Sequence, residues 1–306
     1  MATTTIEPRR TGTYDNLEHP RLATRRKVMR RFGERVLPRI ILVVMCALFI
    51  LPFYWMVALA FKSNEELAIF PPTLWPHELI WSNFNDATEV FPFWRFLRNT
   101  ATITFLTIIG SVISCPIIAY GFSRIDWPGR DKVFMIVLAT VFIPFPVIIV
   151  ALFRIWAEVG LIDTYWPLVL PRFFGTAFWI FLMRQFFMQI PRDLDDAAVI
   201  DGAGYGQILF RVILPLAKPA VATVAIFSFL GHWNDFIHPL IYLSSIEKFP
   251  LSVGLRWFTQ QPNDLSEPRE HLLMTAAMLM MLPCVAIFFA MQRYFVRGII
   301  LSGLKG

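Results

Sequence analysis

Nearly charge-free apolar runs of about 20 residues recur along this chain, and a helix of that length crosses roughly 30 Å of hydrocarbon. Ile41 to Phe61, Lys132 through Phe153 and Leu272 to Gln292 each supply the length, and Asn99 to Phe122 adds a fourth run with a polar start. Tyr165 to Phe187 and Pro219 to Leu243 complete the set, although Arg172, Arg184 and Asp235 interrupt or edge them. In hydrocarbon a backbone must satisfy its own polar groups, so such runs read as helices. Six spans in an all-α integral membrane protein are expected. With 56% hydrophobic and 16% charged residues in 306, an ordinary soluble domain is excluded.

The net charge of +6 is concentrated at one end. Residues 1 to 39 carry ten Lys/Arg against four Asp/Glu, and the remainder balances at eighteen of each. Beside a span, such a basic arm fixes topology and meets anionic membrane lipid, a reading preferred to nucleic-acid contact. With that arm inside, the segments holding Arg124, Arg130, Lys132, Arg184, Arg192, Arg211, Lys218, Arg293, Arg297 and Lys305 are inside too. That places twenty of the twenty-eight basic residues, and both termini, in the cytoplasm. The expected organisation is a basic tail over 1–37, a six-span domain over 38–297 with a cytoplasmic loop at 190–218, and a short tail over 298–306. Ala58-Leu59-Ala60 resembles a signal-peptidase site, but the preceding apolar run is long, and retention as an anchor is expected. Cys46, Cys115 and Cys284 stand singly in apolar runs and read as small hydrophobes. The aromatics of the outside segment Lys62 to Arg98, including Trp75, Trp81, Phe91, Phe93 and Trp94, read as interface anchors, as does Trp257 beside Pro262 in the segment Ser244 to His271.

The most informative stretch lies between the fourth and fifth spans. Pro191 precedes Asp193, Asp195 and Asp196, which crowd the first turn of a short helix where exposed amides favour negative charge. Gly202, Gly204 and Gly206 stop that helix, and a second one is expected from about Gln207 toward Leu214-Pro215 and Lys218-Pro219. Leu194, Ala197, Ala198 and Asp201 share a face by three-and-four spacing, small enough for a partner to approach closely. An anionic leaflet would repel the carboxylates, so a protein partner with a basic contact is favoured over head groups.

These residues resemble the cytoplasmic loop of binding-protein-dependent ABC importer permeases. That loop reads E-A-A-x-x-x-G, nine residues, then I-x-L-P, and Asp196, Ala197, Ala198, Gly202, Val212, Leu214 and Pro215 occupy the positions. Asp201, Ala203, Phe210, Pro219, Trp233-Asn234-Asp235-Phe236 and Pro239-Leu240 are similar to the sugar-importing branch, in particular to maltose-permease-G-like subunits. Ala119-Tyr120-Gly121-Phe122-Ser123-Arg124, Trp127-Pro128-Gly129-Arg130 and Ile143-Pro144 extend the likeness over nearly everything after the basic tail. Asp196 replaces the usual Glu and Val212 the usual Ile; the shorter acid alters the reach toward an arginine on a partner.

The resemblance implies a type I ABC importer permease architecture in a prokaryotic plasma membrane. Implied partners are a second homologous permease subunit, two ATPase subunits and an extracytoplasmic solute-binding protein. The implied ATPase-docking residues are Asp193, Leu194, Asp196, Ala197, Ala198, Asp201, Gly202 and Ala203. ATP and Mg belong to the partner ATPases. This chain has no G-x-x-x-x-G-K-[ST] motif, and Gly202-Ala203-Gly204-Tyr205-Gly206 lacks the lysine and hydroxyl a phosphate site needs. No cofactor and no catalytic residue are expected in the chain itself.

Ionisable residues at membrane depth are costly and point to function, which makes His232, Trp233, Asn234, Asp235 and His238 candidates for the translocation path. His232, Asp235 and His238 follow one another by three, so a continuous helix would carry them on a slowly turning face. Packing against a partner permease explains the same pattern equally well. A metal site at these three is disfavoured, because the face drifts and no carboxylate cluster supports it. A sugar is the expected solute, with a glycerol phosphate derivative as the alternative. An ion-coupled transporter working without ATPases is the rival of a different class.

Overall fold

The computed structural model describes residues 36–260 and 269–303, with side chains through 292. The basic tail up to residue 35, Pro262 and Lys305 lie outside the described residues, as do the side chains of Arg293 and Arg297. The described residues contain no strand. Two compact units divide between Trp55 and Met56. The first carries most of helix α1 (Leu37–Ala60), which is long and apolar enough to cross a membrane.

The second unit is arranged around α2 (Phe93–Ser123), whose 31 residues extend about 46 Å at the helical rise. Against it pack α5 (Ala177–Gln189), with the 3-10 turn Leu170–Phe174 before it, and α8 (Lys218–Trp233). The reason lies in the buried stripe of α2: Thr100, Thr104, Thr107, Gly110, Ser111, Ser114 and Cys115 are small or hydroxylated and recur by three and four. In hydrocarbon, apolar area gives no net drive to helix association, and small residues that admit a neighbouring backbone take its place. At Gly110 the neighbour is so close that a Cβ would lie 2.9 Å from Cδ2 of Phe173 and 3.0 Å from the carbonyl carbon of Arg172.

Three spans are interrupted. The run Lys132 to Phe153 forms two helical pieces, not one straight helix. Arg130–Phe142, containing α3 (Arg130–Ala139), meets α4 (Phe145–Glu158) at 101°. Pro144 causes the break, since its ring drives Ile143 out of the helical region to φ −81°, ψ 112°. The span expected over Tyr165 to Phe187 runs from Trp166 to Gln189, turning at Gly175, whose φ is 87°. The span expected over Pro219 to Leu243 ends as a helix at Trp233 and resumes as α9 (Ile237–Tyr242). Four helices are long and apolar enough to span, Trp166–Gln189 with its turn among them, and counting each of two bent pairs as one span brings the number to six.

Toward one end of α2, Phe93 and Phe96 join Phe91, Phe258 of α10 (Leu251–Gln260) and Leu272 of α11 (Glu270–Gly303) in an aromatic core. Phe91 and Phe93 are therefore core residues and not the interface anchors their setting suggested, whereas Trp75, Trp81 and Trp94 are exposed. The loops there are tied by polar side chains. Asn83 donates from Nδ2 to the carbonyls of Ala60 and Lys62, both at 2.9 Å. Asp163, in the left-handed region at φ 59°, accepts from the amides of Ser244 and Ser245, from the Ser245 hydroxyl, and from Lys248 Nζ at 2.8 Å.

Two outcomes test this packing. Gly110→Val should cost roughly 1–3 kcal/mol through overpacking and lower the thermal-unfolding midpoint of the purified protein; an unchanged midpoint would contradict the close approach. Burial alone would raise the Asp163 carboxyl, but the bonds from Lys248, Ser245 and Ser244 outweigh it and hold the group well below the usual carboxylate range. A depressed pKa gives stability that is present above the unfolded value of about 3.9 and lost as pH falls below it. Melting followed from pH 6 down to pH 3 should therefore drop less steeply in Asp163→Asn than in wild type.

Candidate functional site: a charged elbow and a set of broken spans

The elbow begins where α5 ends. Ile190 turns extended, Pro191 cannot continue a helix, and α6 (Asp193–Ile200) starts with the amides of Asp195 and Asp196 bonding the carbonyl of Arg192. Its first turn holds Asp193, Asp195 and Asp196, as expected. Its end is a Schellman motif: Gly202 at φ 79° bonds Val199, and the amide of Ala203 reaches back 2.9 Å to the carbonyl of Ala198. The second helix starts slightly earlier than expected, with α7 (Tyr205–Ile208), and its first amide, that of Gly204, is taken up by the Gln207 side chain. It continues as a wide π-turn over Leu209–Ile213. Pro215 follows directly, and its ring crowds the carbonyl of the turn before it, which favours widening there. The whole segment Tyr205–Leu216 then meets α8 at 79°.

Placement along α6 sorts the residues. Asp193, Leu194, Asp196, Ala197, Asp201 and Gly202 are exposed, while Ala198 and Ala203 pack against the core that contains Tyr120, Met183 and Ile208. Leu194 and Ala197 thus face solvent and Ala198 faces inward. Asp195 also turns inward, to Arg124. Three large apolar side chains unremarked in the sequence join the exposed face: Val199, Ile200 and Tyr205 stand 57%, 86% and 64% exposed. Their signal was available, because apolar residues interleaved with carboxylates on a short helix need a cover of some kind.

A charge network anchors the elbow. Arg184 donates to the carbonyl of Phe122 and to Asp131 at 3.0 Å, with its guanidinium 4.3 Å above the Phe134 ring. Arg130 pairs with Asp126 at 2.5 Å, and Arg192 reaches Asp126 at 3.4 Å. These arginines and Arg124 border a cavity of about 120 Å³.

A second polar group gathers at the breaks in the spans. His232, Asp235 and His238 do not share one helical face, because the helix stops at Trp233 and the Asp235 carboxylate caps the next one. Its Oδ1 accepts from the His238 amide at 3.3 Å, and Nδ1 of the same histidine lies 2.9 Å from Oδ2. The His238 ring touches Phe145 at the Pro144 break, with centroids 4.1 Å apart. His232 places Nδ1 2.6 Å from the carbonyl of Ser228, so that nitrogen holds the proton and donates. Asn234 bonds the carbonyl of Leu230, and Trp233 is buried and donates to the carbonyl of Met280 at 2.9 Å, a packing role. Arg172, read in the sequence only as an interruption, lies within electrostatic reach of both His232 and Asp235. Its Nη1 reaches the Thr176 hydroxyl at 3.3 Å, while its buried Nε has no partner among the described residues. The rule that singled out Asp235, an ionisable group at membrane depth, applied to Arg172 equally.

A bundle of apolar helices with kinked members and an exposed elbow between two of them defines the class of membrane transport subunits. The chain belongs to the family of binding-protein-dependent transport system inner membrane components, matched over residues 28–301. It is 30% identical to the arabinooligosaccharides transport system permease protein AraQ of Halalkalibacterium halodurans, over 84% of this chain and 91% of the other. The melibiose/raffinose/stachyose import permease protein MelC of Bacillus subtilis is likewise 30% identical, over 92% of this chain and 100% of its own. A solved bacterial ABC transporter that imports the acidic polysaccharide alginate has a similar chain, with TM-score 0.77 and 25% identity over 87% of this chain and 97% of that one. The architecture is that of type I ABC importer permeases.

The elbow's stop makes a specific demand. Gly202→Val forces a branched residue into a left-handed conformation and should cost roughly 1–2 kcal/mol, seen as faster amide exchange at position 202 and at Ala203. Gly204→Val, at an extended position with nothing within 4 Å of its Cβ, should leave exchange unchanged.

Proposed function

We propose that this chain is one permease half of an ATP-driven carbohydrate importer, with both termini in the cytoplasm. It pairs with a second permease, two ATPase subunits that supply ATP and Mg chemistry, and an extracytoplasmic solute-binding protein. The observation that carries the reading is the elbow. A short helix with two outward carboxylates, Asp193 and Asp196, and exposed Leu194, Val199 and Ile200 suits the cleft of a partner carrying basic and apolar groups. Closure of the ATPase pair would move that helix and alternate the two faces of the pathway, a switch between two states and not a reaction performed by this chain.

The saccharide import named for AraQ and MelC supports a carbohydrate as solute. The polar group at the breaks, Arg172, His232, Asp235 and His238, offers both donors and acceptors for hydroxyls along that path. Packing of the buried Trp233 argues against a stacking role for it.

Asp196→Lys should reduce uptake of radiolabelled oligosaccharide by the reconstituted complex about thirtyfold or more, the scale of a reversed charge at an interface. Copurification of the ATPase subunits with the wild-type chain is the companion measurement. Oligosaccharide transport by the purified chain alone in liposomes would overturn the reading in favour of a transporter independent of ATPases.

A further inference from the structure

Three helix ends converge on one guanidinium. Arg124 closes α2, its amide bonding the carbonyl of Tyr120. Its Nη2 donates to the carbonyls of Phe187 and Ile190, the latter at 2.6 Å, at the C-terminal end of α5, where the Phe187 carbonyl also accepts from the Ile190 amide. Its Nη1 donates to Oδ2 of Asp195 at 2.7 Å, in the first turn of α6. The cation thus meets the negative end of one helix and an acid at the positive end of another, both favourable to the macrodipoles. The arginine side chain is 3% exposed and the aspartate 17%, so water is poorly placed to replace either partner.

We propose that the Arg124–Asp195 pair is the joint that delivers movement of the docking helix to α2 and α5, with Asp195 and Arg124 acting as positioning residues for transport. The proposal rests on the reading that an ATPase grips the elbow. Helix α6 has eight residues and none fully buried, so few contacts can transmit a pull on it. At its far end Ala198 and Ala203 meet the core through apolar contacts, which slide at little cost. At its near end a charge-assisted hydrogen bond in a desolvated setting resists stretching, and the planar fork of arginine fixes α5 and α6 to α2 at once. From Arg124, α2 runs to Ser114, whose hydroxyl holds the carbonyl of Arg172 at 2.8 Å beside the broken spans. A pull on Asp195 therefore has a continuous path to the polar group proposed to line the solute route. Asp193 and Asp196, in the same turn, make no ion pair among the described residues and remain outward for the partner.

The test uses the full complex reconstituted with its binding protein, with uptake and ATP hydrolysis measured on the same proteoliposomes. Asp195→Asn keeps the size and one acceptor oxygen but removes the charge. We expect the ATPase subunits to remain bound and ATP to be hydrolysed, while solute moved per ATP falls about tenfold, within the span of ordinary coupling between sites. Asp195→Glu, which restores the charge, should recover most of the ratio. Should Asp195→Asn fail to accumulate, Arg124→Lys is read in the same assay, since it keeps the buried cation and loses only the fork; the same fall in the ratio is expected. An unchanged ratio in an assembled variant overturns the joint. Failure of the underlying reading looks different, because the wild-type chain itself would then recover no ATPase subunits.

Discussion

Inside hydrocarbon no water is available to a backbone amide or carbonyl that a helix leaves unpaired, and each such group costs several kcal/mol. This chain interrupts three of its spans, so it generates such groups. Helix α2 meets one of them in mid-span and others where its neighbours turn at the borders. Asn99 donates to the carbonyls of Glu247 and Phe249, Thr100 accepts from the amide of Leu251, Ser114 holds the carbonyl of Arg172, and Arg124 takes those of Phe187 and Ile190. Four polar side chains, at the two ends and the middle of one helix, therefore satisfy the irregular backbone of its neighbours. The small-residue stripe between them lets those neighbours approach closely enough for the bonds to form.

The same arrangement explains why the interruptions are tolerable and where they are useful. Proline at 144 and the helix stop at Trp233 bring Phe145 and His238 into contact, so two separate breaks share one boundary. Kinked segments can repack between discrete arrangements more readily than continuous helices, and polar side chains at the break let backbone groups exchange partners during that change. The capping of α9 by Asp235 is such a device. It stabilises the break from within and leaves the histidine ring beside a second span.

Much of this was legible in the sequence, and the reasons differ by element. Hydropathy found all six spans, because length and lack of charge are set by the membrane and not by neighbours. The elbow was legible because its stop and start signals are local: Pro191, the three aspartates and Gly202 act within a turn of themselves. Continuity was misjudged in the fifth span, where the helix stops at Trp233 and the Asp235 carboxylate caps the next one. Phe91 and Phe93 were misplaced for a related reason, since an aromatic in an outside segment serves a core or a membrane border equally well and only tertiary packing with Phe258 decides.

The inward turn of Asp195 was the least visible feature, although its partner, Arg124, ends the recognisable stretch that begins at Ala119. Three carboxylates within four positions all suit the first turn of a helix, and at 3.6 residues per turn they spread over about 160° of its circumference. Which one turns inward depends on where a distant helix ends, 71 residues away in the chain. A guanidinium placed at that end by the length of α2 selects the acid at the matching azimuth and leaves the other two to solvent. The division of labour among Asp193, Asp195 and Asp196 is therefore a tertiary property: the end of α2 places Arg124, and Arg124 decides which acid holds the elbow.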